Sequence, residues 1–252
     1  MTHEEGPHRI FSPSPNVLEG IYHSQAKEDS TMILHTVTGS PNGRKVEAVI
    51  FHLGLQVDIR PHDLFKGELR GSSYLAINPN AKVPTLVDGD FTLWESAAIM
   101  QYLADKADNG TLFPRNSRSR ADITRWQCWE GMYFNQALGT LAFETIAKPK
   151  YNVGPPDATL VEQARATLSR FAPVLNGHMD GRKYLVDDQL TLADYSMAAF
   201  EPYVNLVPFD FSPYQHIHTY FERMRQSEHW ARAGRAIAGA SAAAVAAGAL
   251  AA

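Results

Sequence analysis

The stretch Asn78–Ser96 constrains the fold of this chain more than any other part of the sequence. Val83-Pro84 opens a predicted strand, since a proline at the first residue of a strand removes no hydrogen bond from the sheet. Asp88-Gly89 is a tight-turn dipeptide between two short apolar runs. The pattern therefore predicts a β-hairpin made of Thr85–Val87 and Phe91–Trp94.

Glu95-Ser96 follows the hairpin directly and opens a predicted apolar helix over Ala97–Ala107. A carboxylate and a hydroxyl at this point lie beside the free N–H groups of a helix N-terminus. Pro84 also leaves the backbone of Val83 free to pair with something other than the sheet. Together these features indicate a site for a small peptide that carries its own amine and carboxylate.

A second pattern precedes the hairpin and has the order strand, helix, strand. Met32–Thr36 and Val57–Ile59 are short apolar strands, and Arg44–Leu53 between them is an amphipathic helix that Gly54 ends. Because a helix joins the two strands, we expect them to be parallel neighbours with a right-handed crossover. A helical turn near Ser72–Ile77 leads to the hairpin. The order βαβ then ββα predicts a small mixed sheet with helices on both faces, as in thioredoxin-like domains.

The chain divides into four predicted segments. Residues 1–30 mix proline, serine, histidine and glutamate, and we expect an N-terminal arm. Residues 31–109 form the thioredoxin-like α/β domain, and residues 118–235 form an all-α domain. Residues 236–252 are nearly all alanine and glycine, without a polar face or apolar bulk, which predicts a fraying tail.

Composition excludes several functional classes. The 252 residues carry a net charge of −4, so the chain offers no basic stripe for a nucleic acid. No apolar run is long enough for a membrane span, and residues 1–30 lack the pattern of a secretory signal. Cys128 is the only cysteine, which excludes an internal disulfide and favours the cytoplasm; we expect its side chain to be buried. His216, His218 and His229 have no carboxylate or cysteine partners at metal-ligand spacing, so we expect no metal site.

Ser40 is the strongest candidate for chemistry in the first half of the chain. It lies where the loop after the first strand enters the first helix, a place where thioredoxin-like domains often carry a redox cysteine pair. The positive helix end, with Arg44 and Lys45 one turn on, favours the thiolate of an external thiol, whose ordinary pKa is about 8.5. The Ser40 hydroxyl would add a charge-assisted hydrogen bond. The alternative is that Ser40 only caps the helix.

These motifs resemble the glutathione-binding half of soluble glutathione transferases. Residues 40–46, Ser-Pro-Asn-Gly-Arg-Lys-Val, are similar to a loop of the bacterial Nu-class enzymes and their fungal relatives, and Ser40 aligns with the serine of the plant phi class. Residues 66–70, Lys-Gly-Glu-Leu-Arg, match a Gly-Glu-His-Lys/Arg segment of both groups. The resemblance is strong over residues 32–109 and weaker over residues 118–227.

The resemblance implies that glutathione is the co-substrate and that Ser40 or Asn42 points at its sulfur. It also implies that the backbone of Val83 pairs with the cysteinyl unit and that the bond before Pro84 is cis. The loop has neither cysteine nor tyrosine, which argues against the classes that use those residues. Asn42 could instead serve only the turn, because asparagine tolerates left-handed backbone geometry.

Four further residues correspond to the two ends of the tripeptide. Glu95 and Ser96 match the pair that grips the γ-glutamyl group, and Arg70, helped by Lys82, matches the basic residue near the glycyl carboxylate. Leu69 stands where many relatives have histidine, which removes one polar contact at the glycyl end. Without the family context, Glu95 could only complement the helix dipole, and the two basic residues could be solvated surface charges.

The helical half is expected to supply the pocket of the second substrate. Trp126, Trp129, Tyr133 and Phe134 recur at near-helical spacing, and we favour Trp129 and Tyr133 as pocket residues. Plain core packing is the alternative for these aromatic side chains. The segment 191–194, Thr-Leu-Ala-Asp, has the spacing of a helix-capping box, with a folding role.

We therefore expect a two-domain glutathione transferase that activates the glutathione thiol for attack on an electrophilic small molecule. Its expected partners are glutathione, a hydrophobic electrophile or disulfide, and, by analogy with the family, a second copy in a homodimer. Three alternatives remain open at this point. The same site could reduce disulfides or cleave glutathionyl thioethers, the fold could be a non-catalytic module for protein association, or it could carry ligands without turnover.

Overall fold

The computed structural model describes residues 32–64, 66–107 and 110–233. The predicted arm and the alanine-rich tail lie outside these ranges. The strands are β1 Met32–Val37, β2 Val57–His62, β3 Thr85–Asp88 and β4 Phe91–Trp94. The described α-helices are α1 Pro41–Leu53, α2 Ser72–Leu75, α3 Ser96–Ala107, α4 Ser117–Trp129, α5 Asn135–Ala142, α6 Lys148–Tyr151, α7 Ala158–His178, α8 Leu192–Met197 and α9 Gln215–Gln226.

The four strands form one mixed sheet in the order β2-β1-β3-β4. The strands β1 and β2 are parallel, with Met32 opposite Val57, and β3 is antiparallel to both β1 and β4. This confirms the predicted parallel pair, the hairpin and the thioredoxin-like class. On β1, Met32, Leu34 and Thr36 are buried and alternate with half-buried residues, as expected for a strand covered unequally on its two faces.

The helix α1 begins at Pro41, three residues before the predicted start at Arg44. Ser40 caps it, since its side chain accepts a hydrogen bond from the Gly43 N–H, and a proline at the first helical position is favourable. Its end confirms the prediction, because Gly54 has a φ of 64° and stops the helix in the left-handed conformation.

The second half is helical, as predicted. Residues 117–151 form one uninterrupted helical segment, in which the π-helical turns Glu130–Phe134 and Phe143–Ala147 join α4, α5 and α6. The capping box at the start of α8 is confirmed: Asp194 accepts hydrogen bonds from the backbone and the hydroxyl of Thr191. Burial raises the pKa of Asp194 to about 6, although four hydrogen bonds oppose that rise.

One hydrophobic core joins the sheet half to the helical half. Leu34, Val49 and Ile99 from the first half share this core with Phe134 and Trp230 from the second. The helix α1 lies at its centre and packs against both α3 and α8. In the ranges that the structure describes, no helix combines the length and apolar character that a bilayer crossing requires.

A buried ion pair fastens α1 to the helical half. The Lys45 Nζ lies 2.9 Å from Glu130 Oε1, and the two side chains are 4% and 3% exposed. The second oxygen of Glu130 accepts a hydrogen bond from Asn135 Nδ2, which also donates to the backbone oxygen of Ser196. The pair therefore has hydrogen-bond partners beyond its own contact, which a buried ion pair needs in order to offset its desolvation.

Arg44 is neutralised in a second network. Its guanidinium donates to Glu201 Oε1 at 3.4 Å and to the Trp230 carbonyl at 3.2 Å, and it lies 3.9 Å from the centroid of the Trp230 ring. The expectation that Arg44 and Lys45 add positive charge to the ligand loop is therefore wrong. Both side chains leave the first turns of α1 toward carboxylates of the helical half, far away in the sequence.

The ion pair predicts a large difference between a single and a double substitution. We expect Lys45→Met to lower the free energy of unfolding by about 3–5 kcal/mol, because it leaves the Glu130 carboxylate buried without its partner. Lys45→Met/Glu130→Gln should recover most of that loss, and chemical denaturation of both variants measures it. The matched control is Lys66→Met, which breaks an exposed pair with Asp63 and should change stability by less than about 1 kcal/mol. Equal stability of the single and the double variant would contradict this account.

Candidate functional site

The predicted site residues fall at one edge of the sheet. Thr85, the first residue of β3, lies opposite His35 near the end of β1 and opposite Trp94 at the end of β4. The loop after β1, the residues before β3 and the residues after β4 therefore meet at the same end of the sheet. Because β2 is parallel to β1, its carboxyl end and the following turn also reach this edge.

Two hydrogen-bond donors at the N-terminus of α1, the Asn42 N–H and the Ser40 hydroxyl, are available to a ligand at this edge. The Gly43 N–H donates to Ser40 Oγ at 3.1 Å, and the Arg44 N–H donates to the Ser40 carbonyl at 2.9 Å. The Asn42 N–H has no partner among the described residues. Since Ser40 Oγ acts as an acceptor in its cap, its own proton is available to donate elsewhere. The capping role and the proposed thiol-binding role of Ser40 are therefore compatible.

The backbone of Asn42 differs from the left-handed turn that the sequence allowed as an alternative. Asn42 lies inside the first turn of α1, with an ordinary helical backbone. The interpretation that it serves only a left-handed turn is therefore wrong. Its half-buried side chain remains a candidate for the sulfur contact.

A close approach between α1 and β1 fixes the position of the loop that carries Ser40. A Cβ atom added at Gly43 would lie 2.1 Å from Thr36 Oγ1, so only glycine fits at this position. Thr36 is 3% exposed, and its hydroxyl has no hydrogen-bond partner of normal geometry. Gly43 therefore allows a closer approach of α1 to β1 than a residue with a side chain would.

The loop before β3 is held by two side chains that the sequence analysis did not single out. The Tyr74 hydroxyl donates to the Lys82 carbonyl at 2.6 Å, and Asn78 Nδ2 donates to the same oxygen at 2.8 Å. Both side chains also contact Thr85 Oγ1, and both are nearly fully buried. Burial raises the pKa of Tyr74, so its hydroxyl keeps the proton that it donates. Nothing in the local sequence pattern distinguishes these two buried polar residues, so the sequence analysis missed them.

The Val83–Pro84 bond is cis, as the resemblance implied. Pro84 is buried, and Val83 is half-buried with a backbone N–H that makes no hydrogen bond to the described residues. Lys82 is exposed. The backbone of Val83 is therefore available to a ligand at the edge where Ser40 lies.

Glu95 has a backbone conformation that is unfavourable for a residue with a side chain. Its φ is 72°, in the left-handed region, which costs about 1–2 kcal/mol for residues other than glycine. It stands between β4 and α3, its carbonyl accepts the Ile99 N–H at 2.9 Å, and its side chain is exposed. Ser96 is 8% exposed and is the first residue of α3. Strain of this kind clusters at ligand-binding positions.

Arg70 lies in a 3-10 turn, Glu68–Arg70, that follows β2. Its side chain is exposed, and its N–H donates to the Gly67 carbonyl at 2.9 Å. Leu69 is 4% exposed and anchors the turn in the protein. The residue that replaces the histidine of many relatives therefore has a packing role here.

The two candidate pocket residues of the helical half have mainly aromatic neighbours. The Tyr133 ring stacks on Phe171 of α7 with centroids 4.5 Å apart, and the Trp129 ring packs edge-on against Phe171 and Trp126. Trp129 packs against the hydrophobic core, as the alternative from the sequence allowed, whereas Tyr133 and Phe171 are half-buried beside it. A part for Trp129 and Tyr133 in the second-substrate pocket stays a prediction.

Cys128 is exposed, so the expectation of a buried side chain is wrong. On α4, the buried positions are Ile123, Trp126 and Gln127, and residue 128 falls on the side of the helix that they leave outside. Within the described ranges, no group of three histidine, cysteine, aspartate or glutamate side chains could hold a metal ion.

Comparison with known proteins identifies the family. Residues 34–111 match the family model described as glutathione S-transferase, N-terminal domain, and residues 134–228 match the corresponding C-terminal domain. Glutathione S-transferase 3 of Zea mays is 37% identical over 160 residues, which are 63% of this chain and 72% of that protein. The probable glutathione S-transferase GSTF2 of Oryza sativa subsp. japonica is 33% identical over 168 residues, 67% of this chain and 78% of that protein.

A solved structure agrees with these relatives. The glutathione transferase URE2P6 from Phanerochaete chrysosporium, solved in complex with oxidized glutathione, superposes with a TM-score of 0.74 at 26% identity, over 83% of this chain and 97% of the other. Sequence relatives, family models and architecture thus agree, and the chain belongs to the glutathione S-transferase family.

Proposed function

We propose that this protein is a glutathione transferase that activates the glutathione thiol at the N-terminus of α1 for attack on an electrophilic small molecule. The observation that carries the proposal is the pair of free donors at that helix end. The Ser40 hydroxyl proton and the Asn42 N–H are both available there, at the sheet edge that also bears Val83 and Glu95.

The proposed binding mode follows the polarity of this edge. The backbone of Val83, the residue before cis-Pro84, pairs with the cysteinyl unit. Glu95 and Ser96 bind the γ-glutamyl group. The exposed Arg70 and Lys82 take the glycyl carboxylate. Each protein group then meets a ligand group of complementary charge or hydrogen-bonding type.

The proposed chemistry needs no nucleophile from the protein. The thiol loses its proton to solvent, and the Ser40 hydroxyl and the helix end stabilise the thiolate. The sulfur then forms a bond to the electrophilic carbon, whose leaving group departs with the electron pair. Holding both reactants in contact supplies much of the remaining rate gain.

The remaining expectations belong to the same proposal. We propose domain boundaries at residues 31–109 and 118–235, a cytoplasmic location, a role in detoxification and a homodimer. The exposed aromatic side chains Phe91 and Trp94 on the edge strand β4 support association with a second copy. A hydrophobic second substrate agrees with the aromatic character of α4.

The reaction class is tested by three assays run side by side on the purified chain. The substrates are 1-chloro-2,4-dinitrobenzene, hydroxyethyl disulfide and a glutathionyl thioether. We expect conjugation of the first to dominate. Turnover of only the disulfide or only the thioether would replace the transferase proposal with the reductase or lyase reaction, and glutathione binding without turnover would favour a carrier.

Ser40→Ala tests the thiol contact. We expect the pKa of the bound thiol to rise by about 1, because a hydrogen bond to a charged group is worth about 1.5 kcal/mol or more. kcat should fall, while the Kd for glutathione should change little at a pH below the pKa of the bound thiol, where the neutral thiol is the bound form. Ultraviolet titration of the thiolate in the complex, together with steady-state kinetics, measures both quantities.

The matched control is Asn116→Ala, which removes the cap of α4 and should cost a similar stability without affecting the thiol. Ser40→Thr retains a hydroxyl and should retain most of the effect. If Ser40→Ala leaves the thiol pKa unchanged while Asn42→Ala raises it, the asparagine side chain carries the role instead.

Glu95→Ala tests the γ-glutamyl contact. We expect the Kd for glutathione to rise at least about tenfold, equivalent to about 1.5 kcal/mol, because the ligand amine loses a charged partner. Isothermal calorimetry measures the change, and Asp90→Ala in the hairpin turn, at the opposite end of β3 and β4 from Glu95, is the control that should bind normally. An unchanged Kd would reduce Glu95 to a charge at a helix end.

A further inference from the structure

Two histidines and a glutamate form a connected cluster behind the turn that carries Arg70. His35 Nδ1 lies 2.8 Å from His62 Nε2, and His62 Nδ1 lies 3.4 Å from Glu68 Oε2. The same Glu68 oxygen accepts the Asp63 N–H at 3.0 Å. The cluster therefore connects β1 to β2 and connects the end of β2 to the turn Glu68–Arg70.

The two contacts of His62 differ in kind. The contact between His35 Nδ1 and His62 Nε2 is a hydrogen bond, in which one ring donates and the other accepts. The contact between His62 Nδ1 and Glu68 Oε2, at 3.4 Å, is a polar contact between an imidazole and a carboxylate. Burial, reinforced by His62, lowers the pKa of His35 and so favours its neutral form. The three side chains form one connected series that leads from β1 through the end of β2 to the turn Glu68–Arg70.

Tyr74 connects this cluster to the loop before β3. Its ring packs edge-on against both imidazoles, with centroids 5.0 Å from His62 and 6.0 Å from His35. Its hydroxyl holds the Lys82 carbonyl. A continuous series of contacts thus leads from the turn of Arg70 to the backbone next to Val83.

We propose that His35, His62 and Glu68 are positioning residues that set the place of the Arg70 turn relative to Val83. This inference rests on the proposed function, because it concerns the spacing between the sites for the glycyl carboxylate and the cysteinyl unit of glutathione. Leu69 anchors the turn by burial, and the glutamate next to it ties the turn laterally to β2. Two anchors of different kinds restrict a turn in more directions than one does.

The test compares two thiol peptides that differ only at the glycyl end. In His62→Phe the ring contact with Tyr74 is retained, while the hydrogen bond to His35 and the polar contact with Glu68 are lost. We expect the KM for glutathione to rise about fivefold with kcat unchanged, the effect of about 1 kcal/mol for one hydrogen bond. With γ-glutamylcysteine, which lacks the glycyl carboxylate, the same substitution should leave KM within about twofold of the wild-type value.

The outcomes separate this inference from the function on which it rests. An equal rise in KM for both peptides, or a fall in kcat alone, would overturn the positioning role while leaving the transferase proposal intact. Failure of the wild-type protein to bind glutathione by calorimetry would overturn both. Should His62→Phe fail to fold, Glu68→Gln gives the same comparison, because its side chain is 43% exposed and should tolerate substitution. The control His216→Phe removes an exposed histidine on α9 and should change neither KM.

Discussion

The buried ion pair between Lys45 and Glu130 is the contact on which the position of α1, and with it the candidate site, depends. Two charges removed from water are costly to leave unpaired, so this contact admits little displacement of one half of the protein against the other. The helix carries the loop with Ser40 at its N-terminus. Fixing the helix against the helical half therefore also fixes where a sulfur at that end would meet a second substrate.

The electrostatics of the site follow from this arrangement. The two cations of the first turns of α1 are used in pairs with Glu130 and Glu201, so they do not contribute free charge to the loop. What remains at the helix end is the field of the backbone, the Asn42 N–H and the hydroxyl proton of Ser40. These donors are held by the fold before any ligand arrives, which is the property that makes such donors effective for a developing anion.

Local sequence patterns predicted the strands, the hairpin, the end of α1 at Gly54 and the capping box of α8, because each depends on residues within a few positions of one another. The cis bond before Pro84 came from the family resemblance, not from local preference. Contacts between distant residues could not be read in this way. Lys45 is 85 positions from Glu130 in the sequence. The apolar periodicity of the helix around Lys45 gave no sign that its side chain has a buried partner.

The same limit applies to the candidate site. Sequence named the groups that a tripeptide would meet, and topology places the segments that bear them at one edge of the sheet. It did not name Tyr74 and Asn78, which hold the Lys82 carbonyl, because a buried tyrosine or asparagine has no distinctive spacing. The prediction of a buried Cys128 was wrong, since the side of α4 that becomes buried depends on which helices pack against it.

At Glu95 the left-handed backbone lowers the stability of the fold, while the side chain is proposed to bind the ligand. Glycine there would relieve the conformational strain and give a sturdier junction between β4 and α3. It would also delete the carboxylate that the ligand amine is proposed to need. Engineering this protein for heat resistance by replacing strained residues should therefore spare residue 95, where a better folded chain would be a poorer receptor.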